Sequence, residues 1–348
     1  MDAELLGGKI LRTEHPLNLE TPFETLDGFI TPTEEFYVRT HFAIPKIDRH
    51  SWRLRVEGEV ANSFDISLDQ LMQLDSRTLP ATLECAGNNR SLLDPKVKGV
   101  QWGLGAVGTA NWTGAPLSIL LERAVVRPNA REIVLEGADG GELEDAKAPQ
   151  GELRFARSIP LSKANDVLLA YRMNDVDLPP EHGAPLRAIV PGWYAMASIK
   201  WLTRIIVLDR SFNGYYQTLD YAFWENGELA PLSELQPKAQ IARPVAGEIV
   251  PANSDVRVFG AAWTCGEIAT VEVSTDAGST WNEATLLGQT APNAWRLWEY
   301  NWRTAGPGAA TLIARAVDSR GHTQPAARDW NRGTYMINHL IPINVTIE

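Results

Sequence analysis

Cysteine is scarce in this chain: two residues in 348, Cys85 and Cys265, set far apart. That spacing offers neither a disulfide framework nor a C-x-x-C metal knuckle, so each thiol is read alone. Basic charge is also in deficit, with 32 Lys and Arg against 43 Asp and Glu and a net charge of -11. Nothing here attracts a polyanion, and a general nucleic-acid binder is excluded. No apolar run approaches the ~18 residues that a membrane span needs. Met1 to Pro22 carries acidic residues, glycines and a proline where a signal peptide needs an apolar core. A cytoplasmic location is therefore expected, unless another protein exports the chain. Repeats and low-complexity segments are missing too. The apolar share of 44% and charged share of 22% are those of an ordinary folded protein. At ~150 residues per domain the length allows roughly two domains. Tryptophan, by contrast, is abundant, with twelve residues. Each is a large core or pocket group with a donor to satisfy.

The texture changes along the chain. Trp52-Arg-Leu-Arg-Val56 alternates apolar and charged residues, the period of a half-buried strand. Ser67-Leu-Asp-Gln70 reads as a capping box opening a short helix, and Pro116 sits at the first turn of a second. Strands are expected at Ile133–Leu135, Val167–Tyr171, Leu186–Val190 and Ile199–Leu208, with Gly and Pro between them. Their spacing is irregular and no βαβ rhythm holds, so the first part, residues 1–236, is expected to be α+β. Beyond it, Val256–Phe259, Ala269–Ser274, Ala294–Trp302 and Thr311–Val317 read as short strands without helices. Asp276-Ala-Gly-Ser279 and Ser319-Arg-Gly-His322 are turn signals between them. An all-β, immunoglobulin-like sandwich is expected over 237–348, with the boundary at Pro237–Pro244.

The string Ala81-Thr-Leu-Glu-Cys-Ala-Gly-Asn-Asn-Arg90 ends a strand on Cys85, then turns tightly onto an arginine. A thiol exposed there beside a cation suits a nucleophile or a soft-metal ligand. A buried small hydrophobe is the other reading, and the string alone does not choose. The string resembles the molybdenum-cysteine loop of the sulfite oxidase family of molybdopterin enzymes. Phe36-Tyr-Val-Arg-Thr-His-Phe42 is similar to that family's aromatic-Val-Arg-Asn-His segment. Lys98-Gly-Val-Gln-Trp102 with Gly105–Gly114, and His182-Gly-Ala-Pro-Leu-Arg187 through Ser198-Ile-Lys-Trp201, resemble its later blocks. Trp295-Arg-Leu-Trp298 and Ala316-Val-Asp318 resemble its dimerisation domain, so the likeness spans about 20–348.

The resemblance implies a role for each matched residue. It makes Cys85 the thiolate ligand of molybdenum. It implies that Tyr37, Val38, Arg39, Thr40, His41, Asp139, His182, Arg187, Ser198, Ile199 and Lys200, with Cys85, hold the molybdopterin. Arg187 and Lys200 suit its phosphate, and Asp139 and His182 its ring. By the same likeness Arg39, Arg90 and Arg332 surround a small oxyanion such as sulfite, Trp102 lines the pocket, and Tyr221 lies beside the reacting oxygen. Guanidinium forks hold such anions in fixed geometry. Taken singly, His182 reads as a core histidine, the arginines as surface partners and Tyr221 as core. The implied reaction is a two-electron oxygen-atom transfer from a molybdenum centre to sulfite. No haem is expected, since the chain has no C-x-x-C-H motif and no cysteine cluster. The electrons are therefore expected to pass to an external acceptor such as a cytochrome. A homodimer is implied by the family alone.

Four departures bear on the substrate: Asn89 where a second arginine is usual, Phe155 in place of tyrosine, the added charge of Arg157, and Ala197 replacing an arginine. Arg332 aligns only across a one-residue deletion. Two other readings accordingly stand beside sulfite oxidation: reduction of nitrate or a sulfoxide at the same centre, and a non-catalytic dimer that binds an anion or stores cofactor.

Overall fold

A computed structural model describes residues 7–348. It is mostly β-structure; the α-helices among the described residues are short, at Leu68–Met72, Leu117–Ala124 and Tyr215–Thr218. Helix is thus a smaller part of the first half than α+β implies. The capping box forms as expected: Gln70 N–H donates to Ser67 Oγ, and the Gln70 side chain accepts from Ser67 N–H. Pro116 caps the next helix, whose leucines at 117, 120 and 121 face the core.

Two five-stranded sheets organise the first half. One runs Val176–Asp177, Leu168–Met173, Val107–Pro116, Arg77–Glu84, with Arg187–Ile189 also paired to Leu168–Met173. The other runs Phe64–Ser67, Arg53–Gly58, Leu202–Leu208, Glu132–Gly141, Leu153–Pro160, and its Arg53–Gly58 and Leu202–Leu208 pair is parallel. The strand expected from Ile199 begins only at Leu202. Before it, Trp201 takes a left-handed conformation (φ 49°), which breaks the extended backbone ahead of Leu202.

In the second half the segment Pro237–Pro244 is itself structured, carrying the strand Lys238–Arg243. It opens a four-stranded sheet with Asp255–Trp263, Arg296–Arg303 and Thr285–Leu287. A second sheet holds Ile249–Val250, Ile343–Ile347, Gly308–Asp318, Ile268–Ser274 and Asn282–Glu283. The strand Asp255–Trp263 is buried on both faces from Val258 onward. Val258 and Ala262 point into the core between the two sheets, while Phe259, Ala261 and Trp263 join the core of the first half. Period-two alternation thus divides one strand between two cores and welds the halves together. Eight of the tryptophans, at 52, 102, 112, 201, 263, 295, 298 and 302, are buried, so most of that aromatic surplus is packing.

Candidate active site

The strand Arg77–Glu84 ends one residue before Cys85, and the chain then turns sharply, with Asn88 N–H donating to Cys85 O (2.8 Å). Asn89 completes the turn at φ 73°, a left-handed position that asparagine tolerates. Two close glycines make room for the next residue. A Cβ on Gly87 would lie 2.2 Å from Arg90 Nη2, and one on Gly99 2.6 Å from Nη1. So confined, Arg90 donates to Thr334 O (3.2 Å) and Val100 O (2.9 Å). Its guanidinium sits 5.4 Å from the Tyr335 ring centroid.

Cys85 is 6% exposed and stands where two cavities meet. The inner cavity, of about 640 Å³, is lined by Tyr37, Arg39, His41, Asp139, His182, Arg187, Ser198, Ile199, Lys200 and Tyr221. Segments far apart in sequence therefore converge on the thiol. The outer cleft, of about 1320 Å³ with the solvent at its mouth, shares Arg39, Cys85 and Tyr221 with it and adds Arg90. Four residues expected at the site stand outside both linings. Val38 is core; Thr40 is buried with its hydroxyl donating to Leu17 O (2.8 Å). Trp102 is buried with its ring edge-on to Tyr37 at 6.4 Å. Arg332 is turned away onto Asp329 (3.4 Å) and Asn338 Oδ1 (2.9 Å), because the short 3₁₀ turn Trp330–Arg332 carries it outward.

The departures also find places. Phe155 lines the inner cavity, stacked on His41 at 4.2 Å. Asn89 faces inward and accepts from Lys238 Nζ. Arg157 is fully buried, away from both cavities, and its donors hold the carbonyls of Tyr216, Tyr221 and Leu232. Asn89 and Arg157 are thus structural, not substrate contacts; burial draws the Arg157 guanidinium down to about 10. Ala197 is fully buried, which leaves no room there for an arginine.

Electrostatics fit an anionic guest. Arg187 is buried and donates only to His182 O (3.0 Å) and Ser198 O (3.1 Å), with Nε unpartnered. Lys200 donates to Glu181 O (2.8 Å), and Arg39 to Asn18 Oδ1 (3.3 Å) and Thr40 O. Three cations face two acids, Asp139 and Glu181, leaving a positive excess in this cavity. Burial lowers Arg187 to about 10 and also depresses Lys200, with Arg187 adding to the effect. Burial raises Asp139 to about 6 against the pull of Lys200. An unpartnered buried guanidinium donor and an uncompensated charge are costly unless a ligand meets them. A phosphate-bearing group with a polar ring fits this donor set.

Tyr221, which lines both cavities, meets His41 of the inner one, with Nε2 and the hydroxyl 2.6 Å apart. Burial, then Arg39 and Lys200, keep His41 well below its ordinary pKa, so it is neutral. Burial raises Tyr221, so its hydroxyl keeps its proton. Tyr221 has φ 48°, a strained conformation for an aromatic residue and one that clusters at functional sites. Among the described residues no group of three or more His, Cys, Asp or Glu is placed to hold a metal. A metal at Cys85 therefore has to arrive with ligands of its own, as a dithiolene cofactor supplies. Residues 181, 196 and 335 also line the cavities and lay outside the expectation. Glu181 and Met196 flank expected contacts, but nothing local marks Tyr335.

The model of the oxidoreductase molybdopterin binding domain matches residues 41–216, and that of the Mo-co oxidoreductase dimerisation domain residues 230–348. A sulfite oxidase of Gallus gallus is 36% identical, over 93% of this chain and 75% of its own length. The mitochondrial sulfite oxidase of Mus musculus is 36% identical over 97% of the chain, which spans 65% of that protein. A nitrate reductase [NADH] of Arabidopsis thaliana is 32% identical over 97% of the chain and 40% of its own length. Among solved structures, the sulfane dehydrogenase SoxCD from Paracoccus pantotrophus superposes with a TM-score of 0.82 at 28% identity, covering 95% of this chain and 85% of that one. No helix among the described residues is long and apolar enough to cross a membrane. Both domain models fall in order on the chain, and its likeness to the avian enzyme runs nearly from end to end; it belongs to the sulfite oxidase family of molybdopterin-dependent oxidoreductases.

Proposed function

We propose that the chain oxidises sulfite to sulfate by oxygen-atom transfer and passes the electrons to an external acceptor such as a cytochrome. The observation that carries the reading is Cys85, set at the junction of a cation-lined inner cavity and an outer cleft floored by Arg39 and Arg90. Arg187 and Lys200 would neutralise the cofactor's phosphate, Asp139 and His182 would meet its ring, and Cys85 would bind the metal through a soft thiolate. When bound, that cofactor supplies the two-electron redox couple and the oxygen exchange. The chain's own part is positional: Arg39 and Arg90 hold the anion, and Tyr221, kept protonated and braced by neutral His41, donates a hydrogen bond toward the reacting oxygen. Burial around Cys85 restricts water. In the second half, two packed sheets, antiparallel but for the Ile249–Val250 edge, support an immunoglobulin-like dimerisation domain, and hence a homodimer.

Sulfite-dependent reduction of ferricyanide, on protein of verified molybdenum content, tests this. Saturable turnover supports sulfite oxidation; none on loaded protein refutes it. Nitrate reduction is the second reading, favoured by the plant relative and by the outward turn of Arg332, and is scored by nitrate turnover with reduced viologen.

A further inference from the structure

The outer cleft is far larger than the anion it is asked to hold. A four-atom anion, at ~30 Å³ per water-sized unit, takes on the order of 100 Å³. The cleft encloses about 1320 Å³, solvent at its mouth included. Its chemistry is graded with depth. Arg39 and Arg90 lie at the floor beside Cys85 and Tyr221. The wall over them is apolar: Leu219 follows the helix Tyr215–Thr218, and Phe223, Trp224 and Leu229 come from the hairpin Ala222–Glu225 and Glu228–Pro231. Three of these side chains are strongly exposed, Trp224 by 56%, Leu219 by 48% and Leu229 by 45%. Large apolar groups gathered on one wall of an active-site cleft mark a contact surface, whereas scattered ones need no explanation. Lys98 and Lys147 in the same lining add positive charge, and Asp145 there is engaged by Lys98 (3.6 Å) and by the Tyr215 hydroxyl (3.0 Å).

The floor carries two guanidiniums, those of Arg39 and Arg90. Arg332 is committed to Asp329 and Asn338, and Tyr335 stands at the cleft instead. The Tyr335 ring stacks on Tyr221 at 4.9 Å and its hydroxyl donates to Asp220, so it offers the guest an aromatic face and no cation. Two guanidinium forks below an apolar wall match a monoanionic head with an organic tail.

We propose that the cleft takes organic sulfinates, R–SO₂⁻, and that the enzyme oxidises them to sulfonates, R–SO₃⁻, with the R group against Trp224, Phe223 and Leu229. The proposal rests on the oxygen-atom transfer assigned under the proposed function. The sulfur lone pair forms one new S–O bond to an oxygen that derives from water. Two protons and two electrons leave, and the electrons go to the same one-electron acceptor. With ferricyanide the balance is R–SO₂⁻ + H₂O + 2 Fe(CN)₆³⁻ → R–SO₃⁻ + 2 H⁺ + 2 Fe(CN)₆⁴⁻.

Molybdenum-loaded protein is assayed with benzenesulfinate and, in parallel, with sulfite. Saturable ferricyanide reduction with both, and benzenesulfonate as the product of the first, is the expected result. Turnover of sulfite without turnover of benzenesulfinate overturns the proposal and leaves sulfite oxidation standing; turnover of neither, on loaded protein, overturns both. Trp224→Ala is expected to lower the benzenesulfinate-to-sulfite ratio of kcat/KM by about tenfold, the lower end for a lost apolar contact. An unchanged ratio removes the wall from substrate binding. Titration calorimetry gives a readout independent of turnover. Benzenesulfonate is expected to bind at least about fivefold more tightly than methanesulfonate, with the difference lost in Trp224→Ala; equal affinities overturn the proposal.

Discussion

Removing the ammonium of Lys238 tests how the second half of the chain supports the cysteine loop. Lys238 and Glu84 are each 2% exposed, and Nζ lies 2.7 Å from Glu84 Oε1. The same ammonium donates to Asn89 Oδ1, in the turn that follows the cysteine. Glu84 precedes Cys85 and also accepts from Trp263 Nε1 (2.9 Å) and Asn88 Nδ2 (3.2 Å). Lys238→Met fills most of the volume but leaves a buried carboxylate with two neutral donors and no cation. Breaking a buried pair in this way costs about 3–5 kcal/mol, because the remaining charge stays out of water uncompensated. Glu84→Gln in the same background keeps an oxygen for Trp263 and removes the charge, so the double variant is expected to recover about 2 kcal/mol. Urea unfolding followed by tryptophan fluorescence measures both. A loss below about 1 kcal/mol in Lys238→Met, or a double variant no more stable than the single one, refutes the reasoning.

Four further outcomes are expected. Cys85→Ser, nearly isosteric, should lower turnover by at least the ~10–100-fold that losing a ligand's supporting hydrogen bond costs, with little change in unfolding; equal turnover at equal molybdenum content would remove Cys85 from the mechanism. Asp139, held near 6 by burial, binds a proton in the folded state that it releases in the unfolded one between about pH 4 and 6. That contribution is present below about pH 4 and lost as pH rises through about 6, so Asp139→Asn should flatten this part of the stability profile of cofactor-free protein, and superimposable profiles would contradict it. Arg157→Leu strips three backbone carbonyls of a charged donor, and chemical denaturation should show a loss of about 3–5 kcal/mol. Gly99→Ala, at φ 115°, pushes on the Arg90 guanidinium and should raise KM for sulfite more than it lowers kcat; an unchanged KM would show that Arg90 does not hold the anion.

Much of the local structure was legible because it depends on neighbours in sequence. Ser67 and Gln70 close their capping box across three residues, Pro116 presets the backbone at a helix start, and Trp52–Val56 alternates as a strand must. The turn after Cys85 is local too, made by Asn88 and Asn89. Motif likeness brought together most residues of the inner cavity, from Tyr37 to Lys200, although periodicity alone never joins such distant segments.

Three arginines show where that legibility ends. Arg90 and Arg332 read alike as anion contacts through the family likeness, and Arg157 as an added charge bearing on the substrate. In the fold, glycines at 87 and 99 steer Arg90 to the cleft floor, three carbonyls from residues 216–232 bury Arg157, and Asp329 and Asn338 take Arg332 away. A long charged side chain goes where its donors are satisfied, and those partners lie up to hundreds of residues off. By itself, then, the sequence determined most of the local strands and turns and, through its likeness to a family, singled out Cys85. Which cations face that thiol, and how wide a cleft opens beside it, only the tertiary structure decided, because both depend on long-range burial and hydrogen bonding.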